Sequence, residues 1–85
     1  VGTIAVGGNP YGIAVNANGT RVYVVKSTTA QLAVIDTATQ QVSATINLPG
    51  NARTVAVNAA GTRAYTANFA VDSVSVIDLT TNQLI

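Results

Sequence analysis

The chain is built on an internal repeat with a period of 42 residues. A shift of that length places residues 13–23 on residues 55–65 and residues 34–36 on residues 76–78, with no gap. Of the 43 residue pairs that the shift brings together, 17 are identical. A period of roughly 40–50 residues made of short strands is typical of β-propeller blades. Because one such repeat cannot bury both of its faces, repeats of this kind are stable only when they are stacked.

Each repeat contains four short runs that are rich in Val, Ile, Thr and Tyr, which favours strands over helices. The predicted strands span residues 11–15, 21–26, 32–36 and 42–48 in the first repeat. They span residues 53–58, 63–68, 74–79 and 84–85 in the second repeat. Several runs are apolar at consecutive positions, as at Val34 and Ile35, which indicates burial on both faces of a sheet.

These patterns predict an all-β fold, a β-propeller with two four-stranded antiparallel blades in about residues 1–42 and 43–85. An immunoglobulin-like sandwich is the alternative, since it also contains about seven short strands. A sandwich does not predict a gapless internal repeat, so we favour the propeller.

The composition indicates that the chain needs a partner. It has 85 residues, 48% of them hydrophobic and only 8% charged, with no Cys and no His. Chains of this size usually depend on disulfides, a metal or a partner. Disulfides and the usual metal ligands are missing, so we expect no metal, no cofactor and association with other copies. The net charge of +1 does not favour nucleic acid, and no apolar run has the length of a membrane span.

The last predicted strand is short, because residues 84–85 stand where the first repeat has residues 42–48. The missing part lies at the other end of the chain, where residues 2–6 align with residues 44–48. We therefore predict that residues 1–6 of a neighbouring copy complete this outer strand, which also removes an exposed sheet edge. Such a head-to-tail contact closes into a ring or continues as a filament. We expect a homotetramer with eight blades first, and a homotrimer with six blades second.

Residues 8–16, 19–23 and 34–37 of the first repeat, and residues 64–68 of the second, resemble the YVTN family of β-propeller repeats. The resemblance covers essentially the whole chain, although neither repeat contains the sequence Tyr-Val-Thr-Asn, and residues 52–54 depart from Pro-Tyr-Gly. It implies a propeller of a cell-surface, surface-layer or periplasmic protein, usually with about seven blades in one chain. Two blades, and a start at Val1 without Met, indicate a processed fragment or an engineered unit.

Residues that differ between the repeats gather at one end of the predicted strands. Antiparallel order places the loops from fourth to first strand and from second to third strand on the same side of the ring. The candidate ligand- or protein-binding residues on that side are Asn9, Tyr11, Asn51, Arg53, Phe69 and Asp72. Phe69 is the only Phe and is interpreted as an exposed anchor. Drift without constraint is the alternative explanation of these differences.

Residues that recur in both repeats are interpreted as structural. Asp36 and Asp78 each follow a Val-Ile pair, at a position where an Asp side chain can accept a hydrogen bond from the backbone of a turn. Tyr23 and Tyr65 are expected to fill gaps between blades with their hydroxyls hydrogen-bonded. We therefore expect no catalysis. The predicted function is that of a structural, self-assembling propeller unit, and the alternative is a module that binds a ligand or protein at the channel mouth.

Overall fold

The computed structural model describes residues 4, 6–68 and 72–85. This part of the chain forms eight β-strands. They are β1 Pro10–Val15, β2 Arg21–Lys26, β3 Gln31–Asp36, β4 Gln41–Asn47, β5 Ala52–Val57, β6 Arg63–Asn68, β7 Ser73–Asp78 and β8 Gln83–Leu84. Every predicted strand boundary lies within one residue of the observed one. No helix with the length and apolar character of a membrane span occurs among the described residues.

The strands form two four-stranded antiparallel sheets, with the orders β1-β2-β3-β4 and β5-β6-β7-β8. We call them the first and the second sheet. The predicted all-β fold with two four-stranded antiparallel sheets is thereby confirmed. The last strand of the second sheet has only two residues, whereas its counterpart β4 has seven.

The identical residues of the two repeats build the same hairpin. The Asn16 Oδ1 atom accepts hydrogen bonds from the backbone N–H groups of Thr20 at 2.9 Å and Arg21 at 3.1 Å. Asn58 makes the same two bonds, at the same distances, to the equivalent residues of the second repeat. Gly19 and Gly61 have φ values of 70° and 72°, a conformation that glycine adopts without steric cost.

Both repeated aspartates are turn residues, as predicted. The Asp36 Oδ1 atom accepts a hydrogen bond from the Ala38 backbone N–H at 2.9 Å. Asp78 accepts the equivalent bond from the Thr80 N–H at 2.9 Å, and a second bond from the Thr80 hydroxyl at 2.6 Å. The hydroxyl bond is the largest cause that lowers the pKa of the Asp78 carboxyl. Both carboxylates are thus accounted for by local structure.

Each sheet has two distinct faces, because residues that pair across strands lie on the same face. The tyrosine face of the first sheet consists of Gly12, Ala14, Tyr23, Val25, Leu32 and Val34. Its opposite, valine face consists of Ile13, Val15, Val22, Val24, Ala33 and Ile35. In the second sheet the tyrosine face consists of Thr54, Ala56, Tyr65, Ala67, Val74 and Val76. The valine face of the second sheet consists of Val55, Val57, Ala64, Thr66, Ser75 and Ile77.

The core lies between the tyrosine face of the first sheet and the valine face of the second. Its buried cluster consists of Tyr23, Val25, Leu32, Val34, Ile46, Leu48, Ala52, Ala64 and Ile77. Strands β1 and β5 pack side by side at one edge of this core. A Cβ atom added to Gly12 would lie 2.9 Å from the Thr54 Cα, so this close approach requires glycine.

Candidate functional site

Two of the predicted binding residues, Tyr11 and Arg53, are in direct contact. They occupy equivalent positions in β1 and β5, and the packing of these strands brings the two side chains together. The Arg53 Cζ atom lies 5.2 Å from the centre of the Tyr11 ring, which is the geometry of a cation–π interaction. Both residues are exposed to solvent. The pair therefore presents a positive charge and an aromatic surface at the start of two neighbouring strands.

Asn9 and Asn51 lie beside this pair, directly before β1 and β5. Asn9 has a φ of 59°, and its carbonyl accepts a hydrogen bond from the Ser27 N–H at 3.1 Å. This bond ties the loop before β1 to the loop after β2. Asn51 is half-buried, whereas Asn9 is exposed. Four of the predicted residues thus stand at the same end of the inner strands.

The other two predicted residues do not extend this group. Asp72 is exposed, directly precedes β7 and lines a shallow opening of about 260 Å³ together with Asn68 and Val74. Neither Tyr11 nor Arg53 lines that opening. Phe69, the predicted exposed anchor, lies outside the described residues.

Asn68 belongs to a buried polar cluster of the second sheet. Its Oδ1 atom accepts a bond from the Thr66 hydroxyl at 3.1 Å, and its Nδ2 atom donates to the Ser75 hydroxyl at 2.6 Å. These three side chains are all buried. Since each side chain has a hydrogen-bond partner within the cluster, its burial has a structural explanation. No group of three or more His, Cys, Asp or Glu side chains forms in the described part of the chain.

The tyrosine face of the second sheet is open, in contrast to its buried counterpart. Tyr65 is 40% exposed and Val74 is 66% exposed. Their equivalents in the first sheet, Tyr23 and Leu32, are 3% and 0% exposed. The prediction that the tyrosine ring packs between sheets is therefore confirmed for Tyr23, whereas for Tyr65 it requires a neighbouring copy and stays a prediction. The expected hydroxyl hydrogen bonds are also not observed among the described residues.

Burial has an electrostatic consequence at Tyr23. Removal of its hydroxyl from water raises the pKa of this side chain, and the nearby charge of Arg21 offsets part of that rise. The Tyr23 ring therefore ionises at a higher pH in the folded chain than in the unfolded chain.

The valine face of the first sheet is covered over Val24, Ala33 and Ile35, which are buried, and is open only along β1. Ile13 and Val15 are 69% and 58% exposed. Beside them lies a cavity of about 530 Å³ with mostly apolar walls. It is lined by Ile4, Val6, Pro10, Tyr11, Gly12, Ile13, Val22, Val24, Ile35, Thr37 and Gln40.

The N-terminal segment forms one wall of this cavity. Ile4 and Val6 line it, and the Lys26 ammonium donates a hydrogen bond to the Val6 carbonyl at 3.1 Å. The prediction that residues 1–6 complete a strand of another copy falls partly outside the described residues, because only Ile4 and Val6 are described. Within one chain these two residues lie on the first sheet.

The reasoning from sequence missed the open tyrosine face of the second sheet as a candidate site. The signal that points to it is the repeat itself. A residue that is buried in one repeat and exposed 42 positions away marks a surface whose neighbour is missing.

Comparisons with known proteins support the fold alone. No family model matches the chain, and no curated protein matches its sequence. Among solved structures, the chain is similar to a chain of Kuenenia stuttgartiensis hydrazine synthase, with a TM-score of 0.90 and 24% sequence identity. The similarity covers 100% of this chain but only 24% of that one.

Proposed function

We propose that the chain is a non-catalytic building block of a β-propeller, and that it functions by associating with further copies of itself. In this proposal the two sheets are two neighbouring blades, and the ring is completed by other chains. The observation that carries the proposal is the relation between the faces. The open tyrosine face of the second sheet and the partly covered valine face of the first sheet are the repeat equivalents of the two faces that pack against each other in the core.

The physical argument concerns apolar surface. Tyr65 and Val74 are exposed on one flank, and Ile13 and Val15 are exposed on the other. Contiguous exposed apolar side chains usually mark an interface. Because the two flanks differ and complement each other, the contact between copies is head-to-tail, and a ring forms if the rotation between copies closes. Four copies give eight blades, which we favour, and three copies give six.

Two further observations support this proposal. The resemblance of both repeats to YVTN propeller repeats fits a blade, and the structural similarity to a solved structure supports the fold of the two sheets. On this basis the natural parent is a multi-blade protein of the cell surface, surface layer or periplasm. The present chain is then a fragment or an engineered unit whose operative property is assembly.

The test is the absolute mass in solution, by light scattering behind a sizing column across a dilution series. We expect a discrete species of four, or three, chains of 8.6 kDa that dissociates on dilution. Val74→Asp should shift the equilibrium to the monomer, because it places a charge on the open tyrosine face. The matched control is Ala17→Asp at an exposed hairpin, which should leave the mass unchanged. A folded monomer at all concentrations would overturn the proposal.

A second candidate function is ligand binding at the end of the inner strands, which the contact between Arg53 and Tyr11 favours. In an assembled ring, copies of this pair would converge on the channel mouth and attract an anion. Inorganic phosphate is a suitable probe for calorimetry. Arg53→Ala should abolish binding while leaving the mass of the assembly intact, and Arg63→Ala serves as the control. Unchanged binding in Arg53→Ala would exclude this function.

A further inference from the structure

We propose that Tyr65 of one copy fills the cavity of a second copy, beneath its Ile4 and Val6, and thereby builds the core cluster a second time. This inference rests on the proposed self-association and specifies its contact surface. It follows from comparing each member of the buried cluster with the residue 42 positions away.

The cavity forms one side of the proposed contact between two copies. Five members of the cluster come from β4, the connection to β5, and the valine face of the second sheet. They are Ile46, Leu48, Ala52, Ala64 and Ile77. Their equivalents in the preceding repeat are Ile4, Val6, Pro10, Val22 and Ile35. All five of these equivalents line the cavity, which is therefore one half of a second core cluster.

The other side is the open face of the second sheet. The remaining four members of the cluster are Tyr23, Val25, Leu32 and Val34. Their equivalents in the second repeat are Tyr65, Ala67, Val74 and Val76, all on the tyrosine face. Every chain therefore contains both sets of residues that a second core cluster needs. They lie on the outer sides of the two sheets, so only another copy can bring them together.

The chemistry of the cavity fits a tyrosine face better than a polar ligand. None of the nine equivalent residues carries a charge. Tyr65 would pass from 40% exposure to the burial that Tyr23 already has, and Val74 from 66% exposure to that of Leu32, so both side chains gain apolar contact. The Lys26 bond to the Val6 carbonyl holds the outer wall in place before a partner arrives.

Strand register makes the inference specific to individual residues. Leu32 pairs directly with Ile46 across β3 and β4. Their equivalents are Val74 and Ile4, so Val74 of one copy should lie opposite Ile4 of the next. Cβ atoms of directly opposed residues are about 4.5–5.5 Å apart. A pair of cysteines at these positions is therefore close enough to form a disulfide after small adjustments.

One position predicts a difference between the two contacts. Gly12 permits the close approach of β1 and β5, but its equivalent is Thr54. At the contact between copies, Thr54 would meet the backbone of Tyr11 and Gly12 of the second copy. The contact between copies is therefore wider at its inner edge than the contact within the chain.

The experiment uses full-length single variants, Val74→Cys and Ile4→Cys, mixed under mild oxidation. The natural chain has no Cys, so every disulfide is a designed one. We expect a cross-linked dimer in the mixture at a yield at least tenfold above that of either variant alone. The double variant should give a ladder of covalent species that ends at the size of the ring. The matched control pairs Val74→Cys with Asn18→Cys, an exposed position in a β1–β2 hairpin at the opposite end of the strands.

The outcomes separate this inference from the proposed function. If light scattering shows an oligomer but Val74→Cys and Ile4→Cys cross-link no better than the control, the inference is wrong and self-association stands. If the chain is monomeric at every concentration, both are wrong. Val22→Arg provides a second measurement, because it places a charge in the cavity. It should dissociate the oligomer at least tenfold more readily, and an unchanged dissociation curve would overturn the inference.

Discussion

The two sheets have nearly the same sequence pattern, yet the same face is buried in one and open in the other. Tyr23 is 3% exposed, whereas Tyr65 is 40% exposed. The hairpins of the two sheets have the same side-chain hydrogen bonds, and both aspartate turns share one backbone N–H bond, so local structure does not explain this difference. The difference comes from the neighbour: the first tyrosine face has a sheet packed on it, and no described part of the chain packs as a sheet on the second. In a repeat protein, whether a residue is buried therefore depends on which repeats are stacked beside it.

The two valine faces differ in a second way. The second sheet places Thr66 and Ser75 against the first sheet. The hydroxyl of each is hydrogen-bonded to the Asn68 side chain. The first sheet has Val24 and Ala33 at the equivalent positions. The contact within the chain thus contains a buried polar cluster, whereas the valine face of the first sheet has no counterpart of it. The two valine faces therefore differ in polarity.

The largest expected effect separates the two tyrosines. Tyr23→Ala should lower the free energy of unfolding by about 3–5 kcal/mol, because it removes a buried ring and leaves a cavity. Tyr65→Ala should lower it by less than about 1 kcal/mol when the protein is dilute enough to be monomeric. Urea denaturation at low concentration measures both. Equal losses would show that the two faces are equally buried.

The next effect concerns the close approach of β1 and β5. Gly12→Ala should destabilise the single chain by about 1–3 kcal/mol, since the added Cβ lies 2.9 Å from the Thr54 Cα. Thr54→Gly should instead cost the single chain about 0.5–1 kcal/mol, as glycine does in a strand. The same variant should tighten association between copies. If copies of Thr54→Gly associate more weakly than the natural chain, the side chain of Thr54 does not widen the contact between copies.

The polar cluster predicts an effect of about 2 kcal/mol. Asn68→Ala should destabilise the chain by this amount, because it leaves the buried hydroxyls of Thr66 and Ser75 without a partner. Lys26→Ala at the equivalent position of the first sheet is the control and should have a smaller effect. Thermal unfolding of both variants measures the difference. A loss in Lys26→Ala that matches that of Asn68→Ala would refute the contrast.

The shared hairpins should respond alike. Asn16→Ala and Asn58→Ala should each destabilise the chain by about 1 kcal/mol, since each removes side-chain bonds to two backbone N–H groups. Chemical denaturation of the two variants should give values that agree within experimental error. A large difference would mean that the hairpins are not equivalent in energy.

The smallest effect is a pH dependence at Asp78. The pKa of this carboxyl is lowered in the folded chain, chiefly by the Thr80 hydroxyl bond. The folded state therefore binds fewer protons, and the stabilising contribution is present above the usual pKa and is lost as the pH falls through the lowered pKa. Melting temperatures recorded between about pH 5 and pH 2 should fall less steeply in Asp78→Asn. Parallel curves for the two proteins would rule this contribution out.

Most of the secondary structure was predictable, because strand length, β-branched residues and turn residues act locally. The two aspartate turns and the glycine hairpins were predicted for the same reason. Tyr11 and Arg53 were predicted to lie on the same side of the ring, but their contact was not predicted, since it depends on how β1 and β5 pack. The burial of Asn68 and the exposure of Tyr65 were not predicted, because both depend on which sheet lies opposite.

The sequence by itself determined the repeat, the eight strands and their order in two antiparallel sheets, because its apolar runs and turn signals are written into each 42-residue unit. Only the tertiary structure decided which faces are covered. Tyr23 and Tyr65 are the same residue in the same local setting, and contact across the sheets distinguishes them. Packing is a long-range property of surfaces, so a repeat cannot encode in one unit whether its neighbour is present.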